Sequence, residues 1–350
     1  NQSVDNLPQS LTHLTFGEHF NQFIDLRYLN SLTHLTFEYW FNKPVDKLPQ
    51  NLIQLTFGYE FNRNVDLRYL NSLTRLTFGI YFNQSVDNLP QNLTHLTFKS
   101  YFNRNVDNLP QSLTHLAFGR LFNQPVNLRY LNNLTYLAFG WNFIQSVDNL
   151  PQSLTHLTFG LEFNQSVNNL PQSLTHLTFG DKFNQKIDNL PQSLTHLTFG
   201  NYFNQSVDLK YLNSLAHLTF GYKFNRLVDN LSQSLTHLIF GYHFNQSVDL
   251  RYLNSLNHLT FGYHFNRSVD NLPQSLTHLT FRDKFNQKID NLPQSLTHLK
   301  FGYIFNRLVD NLPQSLTHLT FGDKFNQSVD LKYLNSLNHL TFGYHFNRSV

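Results

Sequence analysis

The 350-residue sequence contains no cysteine and no methionine. Without cysteine there can be no disulfide framework, thiolate zinc site or thiol nucleophile, and the redox compartment is left open. Charge is sparse: Asp, Glu, Lys and Arg make up 13% of the residues, and the net charge is +3. Lys and Arg are scattered rather than clustered, so neither nucleic acid nor a membrane surface is expected as a partner. No run of about eighteen apolar residues occurs, and the first residues, from Asn1, lack a basic stretch followed by an apolar one. Neither a spanning helix nor a leader is expected. The excess lies elsewhere, in 35 phenylalanines, a bias that points to duplication of one short unit.

That unit reads Phe163-Asn-Gln-Ser-Val-Asn-Asn-Leu-Pro-Gln-Ser-Leu-Thr-His-Leu-Thr-Phe-Gly, and its leading Phe recurs at 20, 41, 61, 82, 102 and onward to Phe346. The period is 20 or 21 residues. Eleven units carry a Leu-Pro turn, as at Leu7-Pro8, with Ser232 standing where one of them lost its proline. Six carry a variant one residue longer, Leu26-Arg-Tyr-Leu-Asn30 and the stretches beginning at Leu67, Leu128, Leu209, Leu250 and Leu331. Because the extra residue always enters at this one place, the rest of the unit keeps its register.

Within each unit, Leu11-Thr-His-Leu-Thr-Phe16 puts Leu14 and Phe16 on one face and His13 and Thr15 on the other, the alternation of a half-buried strand. Successive copies run in the same direction and are joined by about a dozen residues, which predicts parallel pairing. Proline sets its own φ and biases Leu7 toward extended backbone, so the return segment is expected to be extended or a single turn. In the second unit Phe20, Ile24, Leu26 or Leu29, Leu32, Leu35 and Phe37 are expected inside. One such coil cannot offset its own ordering entropy, so stability must come from stacking on its neighbours. The Asn after the leading Phe, from Asn21 and Asn42 to Asn347 with Ile144 as an exception, is read as an inward amide bonding adjacent coils. Asp5, Asp25, Asp46 and their equivalents are expected to accept from main-chain N–H groups two or three residues on.

The pattern Phe-Asn-x-x-Val-x-x-Leu-Pro-x-x-Leu-x-x-Leu-x-Phe-Gly resembles the FNIP repeat of amoebal and giant-virus proteins, and the likeness covers essentially the whole chain. The eponymous tetrapeptide is approached at Phe122-Asn-Gln-Pro125 and Phe41-Asn-Lys-Pro44. The Arg-Tyr-Leu-Asn units depart from it. Leu7-Pro-Gln-Ser-Leu-Thr-His-Leu14 is also similar to the short bacterial leucine-rich repeat. The resemblance implies a leucine-rich-repeat-like solenoid for protein recognition, in the host or amoebal cytoplasm, with a virion or cell-surface structure as the alternative.

Two columns of side chains are candidates for binding. Fourteen strands place histidine at one outward position: His13, His34, His95, His115, His156, His176, His196, His217, His237, His258, His278, His298, His318 and His339, interrupted by Gln54, Arg75 and Tyr136. With strands about 4.8 Å apart, the functional reading is a histidine ladder that binds a metal, an anion or an acidic partner, or senses pH. The plainer reading is duplication of one tolerated surface residue. Either way, stacked imidazoles should depress one another's pKa and acid should destabilise the fold. The pair after each strand varies most, and Tyr39, Trp40, Tyr59, Tyr81, Arg120 and Trp141 there form a candidate aromatic binding rim. The plainer reading of the rim is free drift at loop positions. Catalysis needs unlike groups converging on one spot, whereas Ser10, His13 and Asp5 recur at fixed offsets on different faces. No catalytic residue, metal site or cofactor is assigned.

Asn1 and Val350 both fall inside a repeat without a polar cap, so residues 1–350 are expected to be one uncapped array, a piece of a longer one. Residues 181–197 and 283–299 are identical, and 244–269 differs from 325–350 only at Arg251 and Lys332. The varied first half suits recognition better. The expected fold is mainly β, a leucine-rich-repeat-like solenoid with one parallel sheet of about seventeen strands. The expected function is a non-enzymatic scaffold for an unidentified protein partner. The alternative is a structural fibre or filament assembled by end-to-end self-association of coils.

Overall fold

A computed structural model describes residue 4 and residues 6–350, so Asn1 and Asp5 lie outside the described residues. The alternating Leu-x-Phe segments form seventeen short strands, and no helix occurs among the described residues. The coils fall into two compact units, residues 1–174 and 175–350.

The first unit contains β1 (His13–Phe16), β2 (His34–Phe37), β3 (Gln54–Thr56), β4 (Arg75–Phe78), β5 (His95–Phe98), β6 (His115–Ala117), β7 (Tyr136–Ala138) and β8 (His156–Thr158). The second contains β9 (His176–Thr178), β10 (His196–Thr198), β11 (His217–Thr219), β12 (His237–Ile239), β13 (His258–Thr260), β14 (His278–Thr280), β15 (His298–Lys300), β16 (His318–Thr320) and β17 (His339–Thr341). Within each unit every strand pairs in parallel with the next, in register, so that the column position faces its own counterpart, as in His13↔His34 and His258↔His278. Each unit is therefore a parallel β-solenoid, and identical side chains are brought into columns by the register alone.

The short coil of β5 buries Val86, Leu89, Leu93, Leu96, Phe98 and Phe102. In the long coil of β4, Val65, Leu67, Leu70, Leu73, Leu76, Phe78 and Phe82 are all inside. For the second repeat, the expectation that Leu26 or Leu29 is inside is thus corrected: both are fully buried. The reason lies in the proline. Pro90 is buried beside Leu89 in the short coil, whereas the long coil fills the same region with its second leucine. Ser232, at the lost proline, is also fully buried, and its hydroxyl donates to the Leu212 carbonyl at 2.7 Å, which satisfies a polar group that would otherwise be costly inside. Return segments close by single turns, with Leu93 N–H donating to the Pro90 carbonyl at 3.3 Å and Leu70 N–H to the Leu67 carbonyl at 3.0 Å.

Phenylalanine builds a double column through the core. The strand-end Phe stacks on the leading Phe that follows it, with centroids 3.7 Å apart for Phe98 and Phe102, and each ring also faces its counterpart in the next coil, 5.8 Å away for Phe98 and Phe118. The asparagine column is half-buried and links coils as expected: the Asn42 side-chain oxygen accepts from Asn62 N–H at 3.1 Å, and Asn83 in turn holds Asn103 N–H at 3.0 Å. The aspartate expectation holds in long coils, where Asp25 and Asp66 each accept from the main-chain N–H two residues on at 3.3 Å. In the short coil of Asp87 the roles reverse, and Asp87 N–H donates to the Ser85 hydroxyl at 3.3 Å.

Candidate functional site: the strand face and its rim

Every histidine of the predicted column lies on the outward side of its strand, opposite the buried leucines. In the first unit the column is broken. His13 stacks on His34 at 4.2 Å and His95 on His115 at 4.2 Å, but Gln54 and Arg75 separate these pairs, and Tyr136 stands 5.6 Å from His115 and 6.4 Å from His156. In the second unit it is continuous. Nine imidazoles from His176 to His339 stack at 4.0–4.3 Å with planes 7–22° apart.

The residue before the histidine sets its tautomer wherever that residue is threonine or asparagine; His217, which follows Ala216, has no such anchor. Thr94 donates its hydroxyl proton to the Thr74 carbonyl at 3.0 Å, and its oxygen lies 2.9 Å from His95 Nδ1. The same pair of contacts recurs at Thr195, Thr277 and Thr317. With the hydroxyl proton committed to a carbonyl, Nδ1–H is assigned from the network as the donor to threonine. The two positions where asparagine replaces threonine agree: the Asn257 side-chain oxygen, which can only accept, lies 2.6 Å from His258 Nδ1, and that of Asn338 lies 2.5 Å from His339 Nδ1. In the neutral rings anchored in this way, among them His95, His258, His278 and His318, Nε2 is the acceptor nitrogen.

Six of these histidines have a lowered pKa. Burial against the neighbouring strands is the largest cause at His95, His115, His237, His258 and His318, and nearby cationic side chains, histidines chief among them, add to it. At His278 burial and four ladder neighbours together bring the value to about 4. The expected depression is therefore present, but desolvation precedes charge repulsion as its cause.

The rim residues of the first unit also come together. Tyr39 stacks on Tyr59 at 4.5 Å and meets Trp40 edge-on at 4.9 Å, and the series continues through Tyr81 to Tyr101 at 5.1 and 4.8 Å. Trp40 is 47% exposed. Beside this stack lies an open hollow of about 430 Å³ lined by Asn42, Glu60, Asn62, Tyr81, Asn83 and Tyr101. Arg120 forms a separate pair with Trp141, its guanidinium 4.7 Å from the ring. Two further features went unnoticed in the sequence. Tyr222, Tyr242 and Tyr263 form a second tyrosine stack at 4.6 and 4.5 Å, for which their shared column position was the available signal. The tyrosines of the long coils act as staples: Tyr69 Oη donates to the Val45 carbonyl at 3.1 Å and accepts from Leu48 N–H at 3.2 Å. Tyr28, Tyr130 and Tyr252 make the same two bonds to the preceding coil, which explains the Arg-Tyr-Leu-Asn departure from the Leu-Pro pattern.

Among the described residues no group of three or more His, Cys, Asp or Glu side chains is arranged to hold a metal ion, and no helix is long and apolar enough to cross a membrane. Matches to the FNIP Repeat family fall at residues 1–39, between 71 and 223, and between 254 and 334. No curated protein matches the sequence. Among solved structures, the giant-virus protein CroV588, described as a novel circular LRR protein, is 42% identical with a TM-score of 0.66; the match covers 100% of this chain and 65% of that one. YopM from Yersinia enterocolitica WA-314 is similar at 22% identity and a TM-score of 0.63, over 96% of this chain and 79% of its own. A chain of the mouse RP105/MD-1 complex matches at 16% identity and a TM-score of 0.57, over 97% of this chain and 68% of its own.

Proposed function

We infer from membership of the FNIP repeat family, to which this chain belongs, that it is a non-enzymatic scaffold recognising a protein partner through its strand face and rim. The observation that carries this reading is the aromatic series of Tyr39, Trp40 and Tyr101, which are exposed, with the half-buried Tyr59 and Tyr81, set beside an open hollow. Large, stiff aromatic side chains lose little entropy on binding and supply most of the energy at protein interfaces. The fold shared with the RP105/MD-1 complex supports the class of function without naming a partner. The proposed location, by likeness to the family, is a host or amoebal cytoplasm, with a virion or cell-surface structure as the alternative.

The test is a photo-crosslinker placed in turn at Trp40, Trp141, His95 and Arg104, which lies in the return segment beyond the asparagine column, at neutral pH in an amoebal extract. Discrete adducts at the first three positions, competed by unlabelled protein and absent at Arg104, support recognition through face and rim. Equal labelling everywhere, or none, overturns it. Adducts only with further copies of this chain, together with filaments in electron micrographs that grow with concentration, would establish structural self-assembly instead.

A further inference from the structure

The nine-rung ladder lies wholly within the second unit, and its surroundings are unusually free of fixed charge. Besides the histidines, the strands of that unit carry one charged side chain, Lys300 on β15, with Arg282 following β14 by two residues, and no carboxylate. The other outward positions are threonines such as Thr198 and Thr280, with Ile239. Past the strand ends, on the rim, stand Asp181, Asp283 and Asp323, each followed by a lysine, together with Lys223, His243, His264 and His345. While the imidazoles are neutral, this strip offers lone pairs and hydroxyls and little charge. Protonation turns Nε2 into a cationic donor without disturbing Nδ1, which at every rung but His217, preceded by Ala216, donates to threonine or asparagine oxygen in both forms. Because the rings cover one another's faces at 4.0–4.3 Å, only their edges are available, and base stacking of the kind single-stranded nucleic acids use has no platform.

Building on the recognition reading above, we propose that this strip is an acid-gated docking site for an extended, carboxylate-rich polypeptide segment. Each ionised carboxylate accepts a charge-assisted hydrogen bond from a protonated Nε2–H. Imidazolium and carboxylate coexist below the ordinary imidazole value of about 6.5 and above the carboxylate value of about 4. Rungs such as His278, held near 4 in the free ladder, take up their proton in that window only as a carboxylate binds, so affinity passes through a maximum between these limits and falls on both sides. Binding holds protons on the ladder and is accompanied by their uptake. Eight steps between strands at about 4.8 Å give a strip about 38 Å long, which an extended chain rising about 3.3 Å per residue spans with about twelve residues.

Fluorescently labelled dodeca-aspartate is the probe, with anisotropy read from pH 7.5 to pH 4 and circular dichroism confirming the fold at each pH. Binding at least tenfold tighter near pH 5 than at pH 7.5 is expected, with proton uptake seen by calorimetry in two buffers of different ionisation heat. The triple variant His237→Gln, His258→Gln, His278→Gln should lose the acid increment while keeping the parent's spectrum at pH 7.5. Glutamine is tolerated in this column, since Gln54 occupies it naturally; His298→Gln alone, expected to weaken binding less, checks the same point with a milder change. Affinity that is flat with pH, or unchanged in the triple variant, overturns the proposal. So does heparin oligosaccharide binding that persists to pH 4 in the absence of dodeca-aspartate binding, which would assign the strip to sulfated polymers. If dodeca-aspartate fails while the neutral-pH crosslinks at Trp40 and Trp141 remain, the docking site is refuted and the recognition reading stands; loss of those crosslinks alone refutes the latter.

Discussion

Replacing His278 with glutamine should make the fold less sensitive to acid. His278 is held neutral by burial between strands and by the charges of His258, His298, His237 and His318, which lower its pKa from 6.5 to about 4. A base with a depressed folded pKa contributes stability that is fully present above the unfolded value of 6.5 and is lost as pH falls from there toward 4, because the unfolded chain binds the proton first. At about 1.4 kcal/mol per pH unit the difference amounts to about 3 kcal/mol. The ring is only half-buried, so solvent screening reduces this to about 1–2 kcal/mol. His95, His115, His237 and His258 shift in the same direction, and their contributions add to the slope. The assay is urea unfolding followed by circular dichroism at half-unit steps from pH 8 to pH 4. The parent's midpoint should be steady above pH 7 and fall steeply below 6.5, and the variant's should fall about 1–2 kcal/mol less over that interval. A parent midpoint that is flat from pH 8 to pH 5, or a variant that follows the parent at every pH, would refute the reasoning.

Three other outcomes follow from the packing. Tyr69→Phe removes both staple bonds, to the Val45 carbonyl and from Leu48 N–H, and should cost about 1–2 kcal/mol in urea unfolding; since burial raises the Tyr69 pKa, the parent should lose this contribution as pH rises above 10 and the variant should not. Phe98→Ala empties a position stacked on Phe78, Phe102 and Phe118 and should cost about 3–5 kcal/mol, detected as a lower thermal midpoint. Arg27→Gln breaks the exposed 2.6 Å pair with Asp25, and its thermal midpoint at neutral pH should be indistinguishable from the parent's, even though that pair lowers the Asp25 pKa to about 2.

What could be read in the sequence and what could not divide along a physical line. Periodicity reports which face a side chain takes, because alternation along a strand and recurrence every 20 or 21 residues are both linear properties. Leu14 and Phe16 against His13 and Thr15 were legible on that ground, as were the parallel register and the columns it creates. Contacts that depend on how two successive coils fit were not legible. The Arg-Tyr-Leu-Asn variant reads as a disturbance of the Leu-Pro turn, yet Tyr69 reaches 24 residues back to the Val45 carbonyl, a distance along the chain that no local pattern encodes. Nor was Leu29 separable from Leu26 before the place taken by Pro90 in the shorter coil was known. The histidine column shows the division within one site. Its existence follows from counting, but its chemistry follows from the preceding threonine, whose single hydroxyl proton goes to the carbonyl one coil away. That commitment makes Nδ1 the donor and leaves Nε2 the acceptor, so in the coils where threonine precedes histidine one backbone carbonyl of the coil before decides whether the neutral ring presents a donor or an acceptor.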